Sequence, residues 1–181
     1  MKVIDLSLPI EDGMPVYPGD PEVRVKIAHT YESHTWELRQ LFMGSHSGTH
    51  VDAPSHMHAG AATLDELPVE RFFGASRLVR VGDSAWPEGR GLFFCELAGL
   101  DCFERLASLR APFVGGELTE ELERALLGIN IITYTGLQGL DRLPIDSDFM
   151  FYGFPLRIAG GDGSPVRAVA VIESEEKEGL S

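Results

Sequence analysis

The sequence predicts a single-domain α/β protein in which helices flank a mixed β-sheet. Its 181 residues are the size of one ordinary domain, and a hydrophobic content of 44% is enough for a substantial core. Residues 129–135 form a continuous apolar run, which is typical of a strand buried on both faces. No linker or repeat interrupts the chain. We therefore expect one domain over residues 1–181, with a polar tail at 173–181.

Apolar periodicity assigns the elements in chain order. Val23, Val25 and Ile27 alternate with charged residues, which predicts a half-buried strand. The composition of residues 160–163, Gly-Gly-Asp-Gly, predicts a hairpin turn between the last two strands. The predicted strands cover residues 3–7, 23–27, 35–43, 77–82, 92–95, 129–135, 148–158 and 165–173. The predicted helices cover residues 63–73 (interrupted by Pro68), 101–110 and 118–128.

Charge and composition argue against several classes of partner. Fifteen basic and 28 acidic residues give a net charge of −13, which disfavours nucleic acid and anionic membranes as partners. No apolar run approaches the ~18 to 20 residues of a membrane span, and the first residues lack the apolar run of a signal peptide. Cys95 and Cys102 have apolar neighbours, so we expect buried thiols in a cytoplasmic protein.

The stretch from Gly44 to His58 concentrates the candidate chemistry. It holds four of the six histidines and one aspartate. His46, His50 and Asp52 are even numbers of positions apart, so an extended strand would project all three from one face. Two imidazoles and a carboxylate at one point predict a three-ligand site for a divalent cation, with open positions for water or substrate. The alternative is a polar surface strand.

A proton-transfer group follows the predicted ligands. A bound cation can lower the pKa of water from ~15.7 to about 7, and the attack of that water on a carbonyl requires a proton for the leaving group. His56 lies four residues after Asp52, and histidine is the residue type that most often transfers protons in catalysis, so it is the candidate acid/base. The alternative for His56 is a hydrogen bond to one of the ligands.

These residues resemble the hallmark of the cyclase-type metal-dependent hydrolases, which include bacterial kynurenine formamidase and isatin hydrolase. The hallmark is His-x-Gly-Thr-His-x-Asp-x-Pro-x-His, matched here from His46 to His56. Three other segments also resemble sequences of this family: residues 4–7, 15–20 and 162–169. The resemblance therefore spans nearly the whole chain. It implies a swivelling β/β/α fold, with metal bound by His46, His50 and Asp52 and His56 as catalytic acid/base.

The resemblance carries three further expectations. It places the loop of Tyr17 near the substrate, so Tyr17 either lines the pocket or only packs. It suggests a homo-oligomer, a dimer or larger. Relatives also bind a second metal through a histidine and a glutamate, but those positions fall here near Glu123 and on Thr135. This departure predicts one metal ion.

The function predicted from these residues is metal-dependent hydrolysis of a C–N bond in a small amide, formamide or lactam. The cofactor would be one divalent ion, with zinc favoured and manganese as the alternative, since two imidazoles and a carboxylate suit both. Two other functions remain open: a catalytically silent metal- or ligand-binding protein, and a cyclase or dehydratase on the same scaffold.

Overall fold

A large mixed β-sheet organises the molecule. The structure, a computed structural model, describes residues 1–145 and 147–173. Within these residues nine strands form one sheet and two others form a separate ribbon. The strands are β1 (Lys2–Asp5), β2 (Arg24–His29), β3 (Leu38–Phe42), β4 (His50–Asp52), β5 (Phe73–Val79), β6 (Gly91–Ala98), β7 (Phe113–Leu118), β8 (Ile132–Thr135), β9 (Phe149–Tyr152), β10 (Gly163–Pro165) and β11 (Val169–Ile172).

The centre of the sheet is parallel and its margins are antiparallel. The strand order is β1-β11-β9-β5-β6-β7-β8-β4-β10. Strands β5, β6, β7 and β8 are parallel neighbours, whereas β4 is antiparallel to β8 and to β10. The short strand β4 therefore has a partner on each side, which fixes the position of the residues it carries.

Hydrophobic cores lie on both faces of the sheet, as the period of a strand requires. In β6, Leu92 and Phe94 pack into one core, together with apolar residues of the helices. Phe93, between them, packs into the other core with Phe151 and Tyr134. All five side chains are fully buried. Because both faces of such a central strand are buried, its sequence is apolar at nearly every position.

Three α-helices are present in the described residues: α1 (Tyr31–His34), α2 (Phe103–Ser108) and α3 (Glu120–Gly128). The hydroxyl of Thr119 accepts a hydrogen bond from the amide of Leu122 and caps α3. Shorter 3₁₀ segments span Pro54–His56, Leu64–Glu66, Val69–Phe72, Leu100–Cys102 and Leu140–Arg142. The prediction of a mixed sheet flanked by helices is confirmed. No helix of the described residues is long and apolar enough to cross a membrane.

The half-buried strand predicted near the N-terminus is wrong at its far end. Val23 is fully buried, but Ile27 is 52% exposed. The reason is that β2 pairs only with β3 within the described residues, as a two-stranded ribbon apart from the main sheet. The apolar residues alternate as predicted, but the side chain of Ile27 remains exposed because no other element of the described residues covers it.

The predicted hairpin turn is present but lies two residues before 160–163. Strands β9 and β11 are antiparallel neighbours, and Pro155 pairs with Val166 between these strands and the turn. The chain turns at residues 158–161, where the amide of Gly161 donates to the carbonyl of Ile158 at 3.0 Å. Gly163 to Pro165 then pair with β4 as strand β10, and the carbonyl of Asp162 accepts a hydrogen bond from the amide of Ala53 at 2.8 Å.

Two further expectations concern cysteines and the tail. Both thiols are free, Cys102 is buried as predicted, and Cys95 is exposed. The register between β6 and β7 shifts between Phe94 and Ala98, which turns residues 95–97 out of the core. The predicted polar tail lies outside the described residues, except for Glu173.

Candidate metal centre

The three predicted ligands meet at the start of β4. The Nδ1 atom of His46 lies 2.7 Å from Oδ1 of Asp52, and the Nε2 atom of His50 lies 3.5 Å from the same oxygen. One ligand atom of each residue lies within 4.8 Å of the others, a spacing that could hold a metal ion. The side chains are 5–16% exposed, so the site is largely shielded from solvent.

The local backbone differs from the predicted continuous strand. Only His50 to Asp52 are extended, and residues 45–49 form a turn and bend. Gly48 has a φ of +65°, in the left-handed region that disfavours side chains, and a Cβ there would lie 2.8 Å from Ile10. Thus His46 reaches Asp52 through a folded loop rather than by the alternation of a strand.

Hydrogen bonds from outside the cluster orient each ligand. The Nδ1–H of His50 donates to the carbonyl of Gly48 at 2.7 Å, so its Nε2 carries the lone pair that could bind a metal and that here lies 2.8 Å from the hydroxyl of Thr135. The hydroxyl of Thr133, on the neighbouring strand β8, donates to Oδ2 of Asp52 at 3.0 Å. Metal-binding histidines usually donate their second ring N–H to a carbonyl or carboxylate in this way. The residues present therefore fit a divalent cation.

Asp162 provides the corresponding carboxylate for His46. Its Oδ2 accepts a hydrogen bond from Nε2 of His46 at 3.0 Å, and its Oδ1 accepts one from Ser45 at 3.0 Å. A Cβ at the next residue, Gly163, would overlap the His46 ring, so the glycine allows the close approach. The sequence places residues 162–169 among the segments that resemble the family, but its glycine-rich composition predicts only a turn at Asp162. The partial burial of Asp162 and its ion pair with His46 depend on the pairing of β10 with β4, which the sequence alone does not reveal.

His56 lies beside the cluster. Its ring packs on that of His46 with centroids 3.8 Å apart, and its Nδ1 is 3.7 Å from Oδ2 of Asp162. His46, His56 and Asp162 form a second group whose spacing could hold an ion. His56 is 31% exposed, about twice the exposure of His46, so it is the histidine of the group most open to solvent.

The electrostatics of the metal-free site favour a positive charge at its centre. Burial lowers the pKa of His46, but hydrogen bonds to Asp52 and Asp162 outweigh it and raise the pKa to about 9. Burial lowers the pKa of His50, against the opposing charge of Asp52. Without metal, a proton on His46 thus links two carboxylates, and a cation that binds must displace it.

Glu123 and Thr135 both lie near this site. They occupy the positions at which the resemblance places the ligands of a second metal in relatives. Oγ1 of Thr135 is 2.8 Å from Nε2 of His50. On α3, burial and the charge of Asp52 raise the pKa of Glu123 to about 7. The hydroxyl of Thr135 carries no charge, so this pair offers less to a second cation than a histidine and a glutamate would.

The remaining sequence candidates lie apart from the cluster. Tyr17 is in a surface turn and is 69% exposed, and none of the cluster's described hydrogen bonds or ring contacts involves it. His58 lies beside α3, with its Nε2 2.7 Å from the carbonyl oxygen of Arg124. His29 and His34 stack on each other in the ribbon of β2 and β3, with ring centroids 3.8 Å apart.

Comparison with known proteins places this arrangement in a family. The family model described as "Putative cyclase" matches residues 4–106, which include His46, His50, Asp52 and His56. The chain belongs to the cyclase family. The match covers more than half of the chain, and it confirms the resemblance drawn from the sequence motif.

Cyclase-family relatives align with nearly the full length of the chain. Kynurenine formamidase of Salinibacter ruber (strain DSM 13855 / M31) is 28% identical, over 93% of this chain and 97% of that protein. A structure described as a potential metal-dependent hydrolase with cyclase activity superposes with a TM-score of 0.75 at 26% identity, covering 93% of this chain and 96% of that one. An isatin hydrolase bound to thioisatinate gives a TM-score of 0.79 at 18% identity, covering 96% and 93%. The last likeness shows the common fold.

Proposed function

We propose that this chain hydrolyses a C–N bond in a small amide, formamide or lactam, using one divalent cation. The observation that carries the proposal is the convergence of His46, His50 and Asp52, each held by a separate hydrogen bond from outside the cluster. The similarity to kynurenine formamidase supports the class of bond. Zinc is favoured and manganese is the alternative, because nitrogen and carboxylate ligands accept both.

The roles of the residues follow from their positions. A cation held by His46, His50 and Asp52 would activate a water molecule and polarise the substrate carbonyl. His56 is the most solvent-open histidine beside the cluster, so it is placed to exchange a proton with the attacking water and the leaving nitrogen. Asp162 contacts His46 and lies 3.7 Å from His56, so it can orient both rings.

A substrate panel tests the proposal. Formamides, anilides and lactams would be incubated with protein that has been stripped by a chelator and then reloaded with zinc or with manganese. We expect turnover of at least one C–N substrate that disappears on stripping and returns on reloading. Stoichiometric metal binding without turnover of any substrate would contradict hydrolysis and support a silent binding protein. Ring closure or loss of water without hydrolysis would support the cyclase or dehydratase alternative.

Replacement of a ligand tests the metal site separately from turnover. We expect His50→Ala to lose tight metal binding while it stays folded, because the apolar cores surround the sheet and not the ion. Elemental analysis and circular dichroism measure the two effects. His34→Ala, on the exposed helix α1, is the matched control and should keep its metal. Unchanged metal content in His50→Ala would remove the site assignment.

A further inference from the structure

The side chain of His56 has no hydrogen bond that fixes its position. Its ring packs on the ring of His46, but its Nδ1 lies 3.7 Å from Oδ2 of Asp162, which is beyond hydrogen-bond distance. The rings of His46 and His50, in contrast, are each oriented by a hydrogen bond. Because no hydrogen bond among the described residues orients the ring of His56, its position depends on the backbone that carries it.

That backbone is a 3₁₀ turn of three residues just after β4. The amide of His56 donates to the carbonyl of Ala53 at 2.9 Å, and the amide of His58 donates to that of Pro54 at 3.1 Å. These bonds lie within the turn, so they fix its shape but not its place against the rest of the protein. The hydroxyl of Ser55 is buried without a hydrogen-bond partner among the described residues, so it adds no connection.

Two side chains connect the end of this turn to helix α3, and they do so in opposite directions. The Nε2 of His58 lies 2.7 Å from the carbonyl oxygen of Arg124. A carbonyl can only accept a hydrogen bond, so Nε2 of His58 carries the proton and donates it. The guanidinium of Arg124 donates in return to the carbonyl of Met57 at 3.3 Å, and Glu120 holds the same guanidinium at 3.1 Å. We call His58 and Arg124 the clamp.

Helix α3 is a firm support for the clamp. Leu122 and Leu126 on its inner face are fully buried in one of the two cores. Gly128, the last residue of the helix, gives the ring of His58 room to approach, since a Cβ there would lie 3.1 Å from its Nε2. The clamp therefore fastens a turn that is held mainly by its own bonds to an element that is packed into the core.

We propose that His58 and Arg124 are positioning residues that hold the ring of His56 against the ring of His46. The proposal rests on the proposed function, in which His56 transfers the proton. A displacement of about 1 Å in a reacting group can cost on the order of 10²-fold in rate. Loss of one connection of the turn should cost less, about tenfold. Metal binding should not change, because no hydrogen bond of the clamp involves His50 or Asp52.

Variants of His58 separate its hydrogen bond from its ring. Phenylalanine keeps a flat ring but has no donor, whereas the amide of glutamine can donate from nearly the position of Nε2. With a substrate that the unmodified protein turns over, we expect His58→Phe to lose about tenfold in kcat with KM unchanged. His58→Gln should recover most of this loss. Elemental analysis should give the same metal content for both variants, and circular dichroism should show that both are folded.

Arg124→Met tests the other half of the clamp and serves where His58→Phe does not fold, since the side chain of Arg124 is 52% exposed. Methionine keeps an apolar stem but loses the donor to Met57, so kcat should fall in the same way. Arg105→Met is the matched control. Arg105, on α2, also donates to a carbonyl, that of Asp83 at 2.7 Å, but the loop of Asp83 carries no residue of the candidate site. This variant should keep its turnover.

NMR of the metal-free protein tests the position of His56 without any reaction. In His58→Phe and in Arg124→Met, we expect the ring protons of His56 to shift towards the values of free histidine, because the stack on His46 is lost. The amides of His56 and His58 should also exchange faster with solvent. In His58→Gln and Arg105→Met both signals should match those of the unmodified protein.

Unchanged kcat and unchanged His56 signals in a folded His58→Phe variant would overturn the proposal, and so would an equal loss in Arg105→Met. If His58→Gln does not recover turnover although its His56 signals are in place, His58 transfers a proton itself and the positioning role is wrong. If the protein turns over no substrate of the panel, the hydrolase proposal fails alone. The NMR signals then still decide whether the clamp positions His56.

Discussion

At the scale of single residues, the centre of the candidate site is the ring of His46. Its two nitrogens face two carboxylates, Asp52 at 2.7 Å and Asp162 at 3.0 Å. One carboxylate can share a cation with the ring while the other fixes its orientation. His56 stacks against the same ring without a hydrogen bond to it. The proposed metal ligands are thus distinct from His56, the proposed proton-transfer residue. Variants can test the two roles separately.

We expect His56→Ala to keep its metal and to lose about 10²- to 10⁴-fold in turnover, the usual range for a positioned acid or base. The reason is that His56 lies beside the ligands and faces solvent, rather than closing the cluster of His46, His50 and Asp52. Elemental analysis and steady-state kinetics measure the two quantities. Loss of metal from the variant would make His56 a ligand of the His46, His56 and Asp162 group instead.

We expect Asp162→Asn to weaken metal affinity by ~10- to 100-fold, the usual effect of losing a partner that orients a ligand. The amide keeps the shape of the side chain but cannot hold the His46 N–H as a charged acceptor. Calorimetric metal titration measures the change. Asp148→Asn is the matched control, because Asp148 is also a partly exposed, ion-paired carboxylate but pairs with Arg77 and Arg90. Equal affinities in the two variants would exclude an orienting role for Asp162.

At the scale of elements, the site depends on pieces that are distant in sequence. Strand β4 supplies His50 and Asp52, β8 supplies Thr133 and Thr135 from one side, and β10 follows Asp162 on the other. Helix α3 brings Glu123 towards the same carboxylate, Asp52. Because α3 places the half-buried carboxyl group of Glu123 near the buried carboxylate of Asp52, the pair should affect how the stability of the protein depends on pH.

We expect Glu123→Gln to stabilise the metal-free protein at pH 8 and to have no effect near pH 4.5. Burial and the charge of Asp52 raise the folded-state pKa of Glu123 from 4.5 to about 7. A raised pKa means that folding favours the protonated form, so its stabilisation is complete below pH 4.5 and is lost as the pH rises through 7. Glutamine stays neutral and removes this loss.

Thermal denaturation of chelator-treated protein between these pH values measures the effect. Glu121→Gln, at an exposed position on the same helix, is the matched control and should follow the unmodified protein. A difference between Glu123→Gln and unmodified protein that does not grow with pH would contradict the assignment of the raised pKa to Glu123.

At the scale of the whole molecule, the number of metal ions distinguishes this chain from a two-metal enzyme. A two-metal site needs a bridging carboxylate and further ligands for a second ion ~3.5 to 4 Å from the first. Asp52 could bridge and Glu123 could ligate, but the remaining position is the neutral hydroxyl of Thr135, next to His50. The second ion would lack charge and donors.

We therefore expect one tightly bound ion per chain. Calorimetric titration gives the stoichiometry, and anomalous diffraction from metal-loaded crystals locates the ion. Thr135→Glu supplies the carboxylate that the second ion lacks. This variant should therefore bind closer to two ions per chain. Two stoichiometric ions in the unmodified protein, sharing Asp52, would refute the prediction and favour a two-metal mechanism.

The sequence by itself determined the chemistry of the site and the class of the fold. The run from His46 to His56 predicts a metal site, because few other roles require two histidines and an aspartate so close together. Apolar periodicity located most strands and both longer helices, since it reports directly which faces are buried. The even spacing of the ligands predicted their convergence correctly but for a different backbone, a loop that bends at Gly48.

Only the tertiary structure decided which distant residues complete the site and which apolar faces remain uncovered. Asp162 is 116 residues from His46, and Thr133 is 81 residues from Asp52. Their contacts follow from the order of strands in the sheet, which local propensity does not encode, since each strand buries its apolar faces equally well beside several neighbours. The same limit applies to the ribbon of β2 and β3. Alternation in β2 specifies a face to be buried, but whether this chain or another covers it depends on where the ribbon lies in space.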